Sequence, residues 1–319
     1  MPGWQLLPSR PNRSAVTGLT FAVVLFPALL TAAFAQDFSV TLLGTGNPRP
    51  TVQRFGPSIL VQAGGKNLLF DCGRGASIRL NQLRVDQVDA LFLTHLHSDH
   101  TVGIPDLWLT SWVMGRKEPF RVWGPAGTRN MMRHLEQAYS FDVHMRRDVD
   151  EKFPAAGVQI EAHDVGPGMV YESNGLRVAA FLVDHGAVRP AFGYRIDYAG
   201  HSVVLSGDTR YSENLIRAAH GTDVLVHEVI DVEAYNALQN SYTPEEKAKV
   251  IAHHTTAEEA GKIFTKVAPK VAVYSHIVPS DAPDLVGHTR KTYAGPLEVG
   301  EDLMTITIDS HPSVKRWRQ

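Results

Sequence analysis

The sequence predicts an α/β chain folded as a four-layer αββα sandwich, with two β-sheets face to face and helices outside. Two observations carry this. Strand and helix patterns recur from residue 38 to residue 308, and strand ends carry histidines and aspartates in both halves, near 95–100 and again at 185, 208 and 276. A sandwich of this kind brings such strand ends to one edge, where loops can hold a site. With 319 residues and 44% apolar composition the chain can bury a large core, and one domain over residues 36–319 is expected.

Residues 1–35 precede that domain and read as a secretory signal peptide. They hold Arg10 and Arg13, no acids, an apolar run, and Ala33-Phe34-Ala35 before Gln36, an AxA cleavage pattern. An uncleaved membrane anchor is the alternative, since about 20 apolar residues suffice to span a bilayer. Either way the globular part is expected to be exported, periplasmic or secreted, with no stable membrane association after cleavage. Removing the segment leaves 29 basic against 33 acidic residues, a net charge of −4. That balance offers no bulk attraction for nucleic acid, so a nucleic-acid partner is disfavoured. Cys72 is the only cysteine, which excludes an internal disulfide.

In chain order, residues 38–43 form a first strand ending at Gly44-Thr45-Gly46. The loop 47–57 leads to a strand at 58–62, and Gly64-Gly65 turns it into 66–70, an antiparallel opening. Asp71-Cys72-Gly73-Arg74-Gly75 then opens a helix over 76–83, with Asp71 readable as its N-cap. Arg74 is either an arginine facing the site to hold an anionic substrate or a solvated helix-start residue.

The apolar run 90–93 is a buried strand, and His95, His97, Asp99 and His100 arrive just past its end. Alternation places His95 and His97 on one side for one metal ion and turns Asp99 and His100 toward a second. A helix at 104–113 carries Trp108 and Trp112 on one face as core or pocket wall. Strands follow at 120–123, 158–162, 169–172 and 176–183, with a helix at 128–139 between the first two. The strand 201–205 ends in Ser206-Gly207-Asp208-Thr209, and 223–226 leads to His227-Glu228. Helices at 234–239 and 244–251 precede His253-His254-Thr255-Thr256, where Thr256 caps the helix 257–267. Residues 271–275 form the last core strand, presenting His276, and 304–308 closes the fold. Lys315, Arg316 and Arg318 read as a solvated basic tail, and His134, His144, His163, His201, His220, His288 and His311 as structural or exposed.

The motif formed by His95, His97, Asp99 and His100 resembles the HxHxDH signature of the metallo-β-lactamase superfamily. Within it the chain is most similar, over 38–308, to the branch holding ribonuclease Z and the zinc arylsulfatases. The resemblance implies the αββα metallo-β-lactamase fold and a dinuclear site. It makes His185, beside Gly193-Tyr194-Arg195, a further ligand, Asp208 a carboxylate bridging both ions, and His276 the last ligand. One ion would take His95, His97, His185 and Asp208, the other Asp99, His100, Asp208 and His276. Asp71 would buttress the histidine loop. His227-Glu228 matches the family's HE pair, and the proton donor to the leaving group falls on His254 or His253. Three features depart from ribonuclease Z. Arg74 replaces the glutamate of FDCGEGT, as in arylsulfatase-type members; only nine residues separate Ile196 from Ser206, too few for the arm that grips transfer RNA; and the loop after His276 differs.

Nitrogen and carboxylate ligands without thiolate suit two Zn²⁺, with Mn²⁺ or Fe also admitted. A water shared by two such ions is hydroxide at neutral pH, Asp99 orients it, and His254 held by Glu228 protonates the leaving oxygen. The expected function is an exported dinuclear zinc hydrolase of small anionic esters, sulfate or phosphate (di)esters preferred. Ribonuclease Z activity on precursor transfer RNA, hydrolysis of a lactone or β-lactam, and a non-catalytic zinc-binding envelope protein are the alternatives. A homodimer is compatible with the sequence.

Overall fold

The computed structural model describes residues 38–239 and 241–317. The leader expected at 1–35, its cleavage point and Arg318 lie outside the described residues. One sheet contains β1 (Ser39–Gly44), β2 (Ser58–Ala63), β3 (Lys66–Phe70), β4 (Ala90–Phe92), β5 (Phe120–Gly124) and β6 (Ile160–Asp164). The other contains β7 (Gly168–Ser173), β8 (Leu176–Leu182), β9 (Phe192–Tyr198), β10 (His201–Leu205), β11 (Val224–Ile230), β12 (Val271–Val278) and β13 (Leu297–Val299). The chain then returns to the first sheet as β14 (Thr305–Thr307) and β15 (Ser313–Lys315), giving the order β15-β14-β1-β2-β3-β4-β5-β6 against β13-β12-β11-β10-β9-β8-β7.

Strand periodicity explains the layers. In β3 and β4, Leu68, Phe70, Ala90 and Phe92 face the opposite sheet, while Leu69 and Leu91 face the outer helices. Both faces are therefore buried, and the strands read as unbroken apolar runs. Val178, Tyr194, Val203, Val226 and Val273 of the second sheet complete the central core. Helix Ile104–Val113 covers the first sheet with Trp108 and Trp112, whose indole N–H groups donate to Val158 O and Pro154 O. Both tryptophans are core, each such side chain contributing about 2–3 kcal/mol by burial. Helix Ala257–Val267 covers the second sheet with Ile263 and Phe264. Thr256 caps it in a reciprocal pair with Glu259, as its position before the helix predicts.

The structure departs from the sequence reading in places that matter. Residues 192–198, read only as a motif, form β9 in the middle of the second sheet. Strands β11 and β12 run on past their expected ends, so His227, Glu228 and His276 lie within strands rather than after them. The reason is burial on all sides, which leaves the ladder as the way to satisfy their backbone groups. The basic tail is not simply solvated: 313–315 pairs with β14, and Arg316 contacts Glu298 and Glu301 at 2.7 and 2.5 Å. Among the described residues no helix is long and apolar enough to cross a membrane.

Strand direction gathers the site. β3 and β4 are parallel, as are β10, β11 and β12, while β8 and β10 are both antiparallel to β9 and so run the same way. The carboxyl ends of β3, β4, β8 and β10 deliver Asp71, the histidine loop, His185 and Asp208. These ends share one edge with the last residues of β11 and β12.

Candidate metal centre

Backbone packing shapes the histidine loop. Cys72 N donates to His100 O, and Gly103 N to Cys72 O, so the segment after β3 is sewn to the loop after β4. Any side chain at Gly73 would collide, its Cβ falling 2.4 Å from Gly56 C and 2.6 Å from Asp99 O. His97 precedes the short helix Ser98–Thr101, which carries Asp99 and His100. At the other sheet, a bulge sets Ser275 and His276 against the single residue Glu228. His276 there adopts φ 44°, a left-handed conformation that re-aims its ring toward the loop.

The seven ligand candidates converge. His95, His97 and His185 each present an atom within 4.8 Å of the others, and so do Asp99, His100 and His276. Asp208 stands between the two groups. Its Oδ2 lies 3.8 Å from His95 Nε2, 3.9 Å from His185 Nε2, and 3.3 Å from both His100 Nε2 and His276 Nε2. One Asp208 oxygen thus lies within 4 Å of ring nitrogens from both groups, the place a bridging carboxylate would need.

Partners on the far ring nitrogens orient three of the imidazoles. His100 Nδ1 meets Asp71 Oδ2 at 2.7 Å, His95 Nδ1 meets Thr94 Oγ1 at 3.0 Å, and His185 Nδ1 donates to His253 O at 2.9 Å. Asp71 also accepts from Thr94 N and Thr94 Oγ1, so it is the buttress rather than a helix cap. Thr94 and the His253 carbonyl were not singled out by the sequence reading. Thr94 had a signal, as the last residue before the motif; a carbonyl has none.

Does this cluster fit cations? His95 Nε2 and His100 Nε2 are buried and make no hydrogen bond. Leaving two such groups unpaired costs about 1–3 kcal/mol each, a cost that a ligated ion removes. Burial pushes His95 well below its ordinary range and His185 down to about 4, so both stand as neutral imidazoles ready to ligate; His254, outside the seven, is likewise pushed down to about 4. Burial also acts to lower His100 and His276, but carboxylates outweigh it: Asp208 and Asp71 raise His100, and Asp208 and Asp99 bring His276 up to about 8. Protons on these two rings balance charge that divalent cations would balance instead.

Glu228 lies beside the cluster, its Oε1 accepting from Thr209 N and Thr255 N while Oε2 makes no hydrogen bond. Burial first, then the charge of Asp208, pushes its carboxyl well above the usual range. His254 Nδ1 is 3.2 Å from Glu228 Oε1, though off line for a hydrogen bond. His254 is buried and stacks on His276, whereas His253 is half-buried and lines the open cavity. The adjacent histidines thus divide: His254 is the one beside Glu228.

Two sequence expectations are corrected. His227 turns away from the cluster; its Nδ1 contacts Glu228 O and its ring meets Phe264 in the helix-side core, because a strand sends successive side chains to opposite faces. Arg74 is exposed and does not line the cavity over the cluster, since its place after Gly73 turns it to solvent. That cavity, about 1000 Å³, opens onto His97, Asp99, Asp208, His254 and His276. Its arginines are Arg49 and Arg54, from the loop after β1. The remaining histidines at 134, 144, 163, 201, 220, 288 and 311 are half-buried or exposed and outside the cluster.

An αββα sandwich with two adjoining His/Asp triads at its strand edge defines a metallohydrolase of the metallo-β-lactamase fold. Residues 66–277 match the beta-lactamase superfamily domain. The chain is 35% identical over 286 residues to Ribonuclease Z of Mycolicibacterium gilvum (strain PYR-GCK), covering 86% of this chain and 97% of that protein. It is 34% identical over 285 residues to Ribonuclease Z of Mycobacterium bovis (strain BCG / Pasteur 1173P2), covering 86% and 98%. Among solved structures it is similar in fold to the metallo-beta-lactamase fold protein YhfI from Bacillus subtilis (TM-score 0.65, 18% identity, 84% of this chain and 98% of that one). It is also similar to the short form of human tRNase Z (TM-score 0.64, 21% identity, 85% and 99%). The chain belongs to the β-lactamase superfamily, in its ribonuclease Z branch. These relatives support the ribonuclease Z alternative better than the exported hydrolysis of small sulfate or phosphate esters that the sequence reading placed first.

Proposed function

We propose that this chain is a zinc-dependent phosphodiesterase of the ribonuclease Z type. The observation that carries the reading is one strand edge holding five histidines and two aspartates, with Glu228 and His254 beside them. The chain around that edge is about a third identical to ribonuclease Z along nearly the whole of those relatives. Two divalent cations in the cluster would supply Lewis acidity and a bound water of lowered pKa. The chain's own groups do the rest. Asp99 faces the cavity and orients the attacking water, and the adjoining Glu228 and His254, the first a carboxyl that burial keeps protonated, supply the proton to the leaving oxygen through His254. Zinc is the proposed metal because every candidate ligand is an imidazole or a carboxylate, the set zinc sites of open coordination use.

A second reading, a small anionic diester or sulfate ester as substrate, has its own support. The turn from β9 to β10 consists of Ala199 and Gly200 alone, leaving no arm for transfer RNA, and the chain without residues 1–35 has a net charge of −4. Export after cleavage at Ala35 belongs with this reading; mass spectrometry of the exported protein should find Gln36 as its first residue, and an intact Met1 would overturn it. A side-by-side panel of precursor transfer RNA, nitrophenyl phosphodiester, nitrophenyl sulfate and lactone tests the function. Metal-dependent cleavage of the phosphodiesters is expected; turnover of sulfate or lactone alone would overturn the proposal.

A further inference from the structure

The cavity over the cluster is larger than a single nitrophenyl ester needs, since pockets of about 300–1,000 Å³ enclose drug-sized ligands. Its two arginines differ in what they are doing. Arg54 is committed to the protein: its Nε donates to Ser280 O at 2.9 Å, and its Nη1 donates to Thr45 Oγ1 at 2.7 Å and Gly300 O at 2.5 Å. Arg49 is exposed on the same loop, lines the cavity, and makes no side-chain hydrogen bond or ion pair among the described residues.

The loop that carries Arg49 is nonetheless held in place. Buried Asn47 donates from Nδ2 to Ile277 O at 2.7 Å and Ser280 Oγ at 3.1 Å, and its Oδ1 accepts from Arg49 N at 3.0 Å. Ile277 follows the ligand candidate His276 in β12. One amide therefore fastens the backbone of Arg49 to the strand that presents a metal ligand. The stretch 235–250 lines the same cavity with Tyr235, Leu238, Tyr242 and Val250 beside the polar Gln239 and Ser241. An exposed guanidinium in a cavity that also holds aromatic and apolar side chains suits a ligand that is anionic on one side and planar or apolar on the other.

Resting on the phosphodiesterase reading, we infer that Arg49 is a specificity-determining residue that binds a second phosphate of the substrate, next to the one cleaved, and that Asn47 is the positioning residue that sets its reach. The substrate class is a phosphodiester carrying a further phosphate, with at least one base or similar ring against Tyr235. An oligonucleotide end has this chemistry. The metal ligands and His254 handle the scissile group, so the arginine serves discrimination between substrates rather than the chemical step.

The test compares bis(nitrophenyl) phosphate, which has one phosphate, with a 5′-phosphorylated dinucleotide, which has two, on the zinc-loaded full chain. Arg49→Ala should lower the ratio of kcat/KM for the second over the first by about tenfold or more, through KM, with Arg49→Lys intermediate because a lysine lacks the planar fork. Asn47→Ala should lower the same ratio although it removes no charge, with metal content measured alongside. An unchanged ratio in Arg49→Ala overturns the assignment. Equilibrium binding of a phosphorothioate dinucleotide separates this inference from the wider reading. If wild type binds it and Arg49→Ala binds tenfold more weakly, the anchor stands even where no phosphodiester is cleaved; if both bind equally or neither binds, it falls.

Discussion

His100 Nδ1 lies 2.7 Å from Asp71 Oδ2, and both groups are buried. That contact turns His100 Nε2 toward Asp208 and ties the end of β3 to the loop after β4. Asp71→Ala should therefore weaken metal binding by about 10–100-fold, the usual effect of losing the partner of a metal-bound histidine. Competition with a chelator measures it. Undiminished affinity in a folded Asp71→Ala protein would remove the buttressing role.

Asp208 and His185 should differ in stoichiometry. The carboxylate oxygen of Asp208 stands within 3.9 Å of His185, His95, His100 and His276, so Asp208→Ala takes a ligand from both ions, whereas His185→Ala takes one from a single site. Metal analysis of the purified variants should show less than one ion retained in the first and about one in the second. Two tightly held ions in Asp208→Ala would rule out a bridge.

For His254 the readout is the leaving group. His254→Ala should keep both ions yet lose most activity, about 10²–10⁴-fold, on diesters whose leaving alkoxide needs a proton, and least on nitrophenyl diesters that depart as stable anions. His253→Ala should spare this dependence, since His253 holds His185 through its backbone carbonyl rather than its ring. Equal loss on every leaving group together with loss of metal would make His254 a ligand, which its nearness to His185 and Asp208 leaves room for.

Acid stability should report on Asp223, far from this chemistry. Burial acts to raise its pKa, but the contacts from Lys270 Nζ at 2.6 Å and Ser202 N at 2.8 Å outweigh it and hold the carboxyl below the usual range. The folded state thus binds this proton less readily than the unfolded one. The stability gained is present above the unfolded value of about 3.9 and is lost as pH falls through the lower folded value. Asp223→Asn should cost about 1 kcal/mol near neutral pH, with the gap to wild type closing on acidification below about pH 4. Urea unfolding at pH 7, 4 and 3 checks it; a gap independent of pH would remove the charge from the account.

What the sequence alone determined was the family and the coarse architecture. Histidines and aspartates packed within six residues of a strand end have few explanations besides ligation, and the apolar runs of β3, β4, β10 and β12 are legible because burial on both faces leaves no polar residue to blur them. Helices Ile104–Val113, Pro244–Ile251 and Ala257–Val267 were equally legible, since periodicity and capping are local properties. The tertiary structure alone decided which way each side chain points. Glu228 and His227 are neighbours in sequence, yet one meets His254 and the other Phe264, because a strand alternates faces and the bulge opposite Glu228 shifts the register. It also decided that the arginines lining the cavity are Arg49 and Arg54 rather than Arg74. Motif position favoured Arg74, but the loop after β1 reaches the cavity through Asn47, and a contact across 230 residues leaves no trace in local sequence.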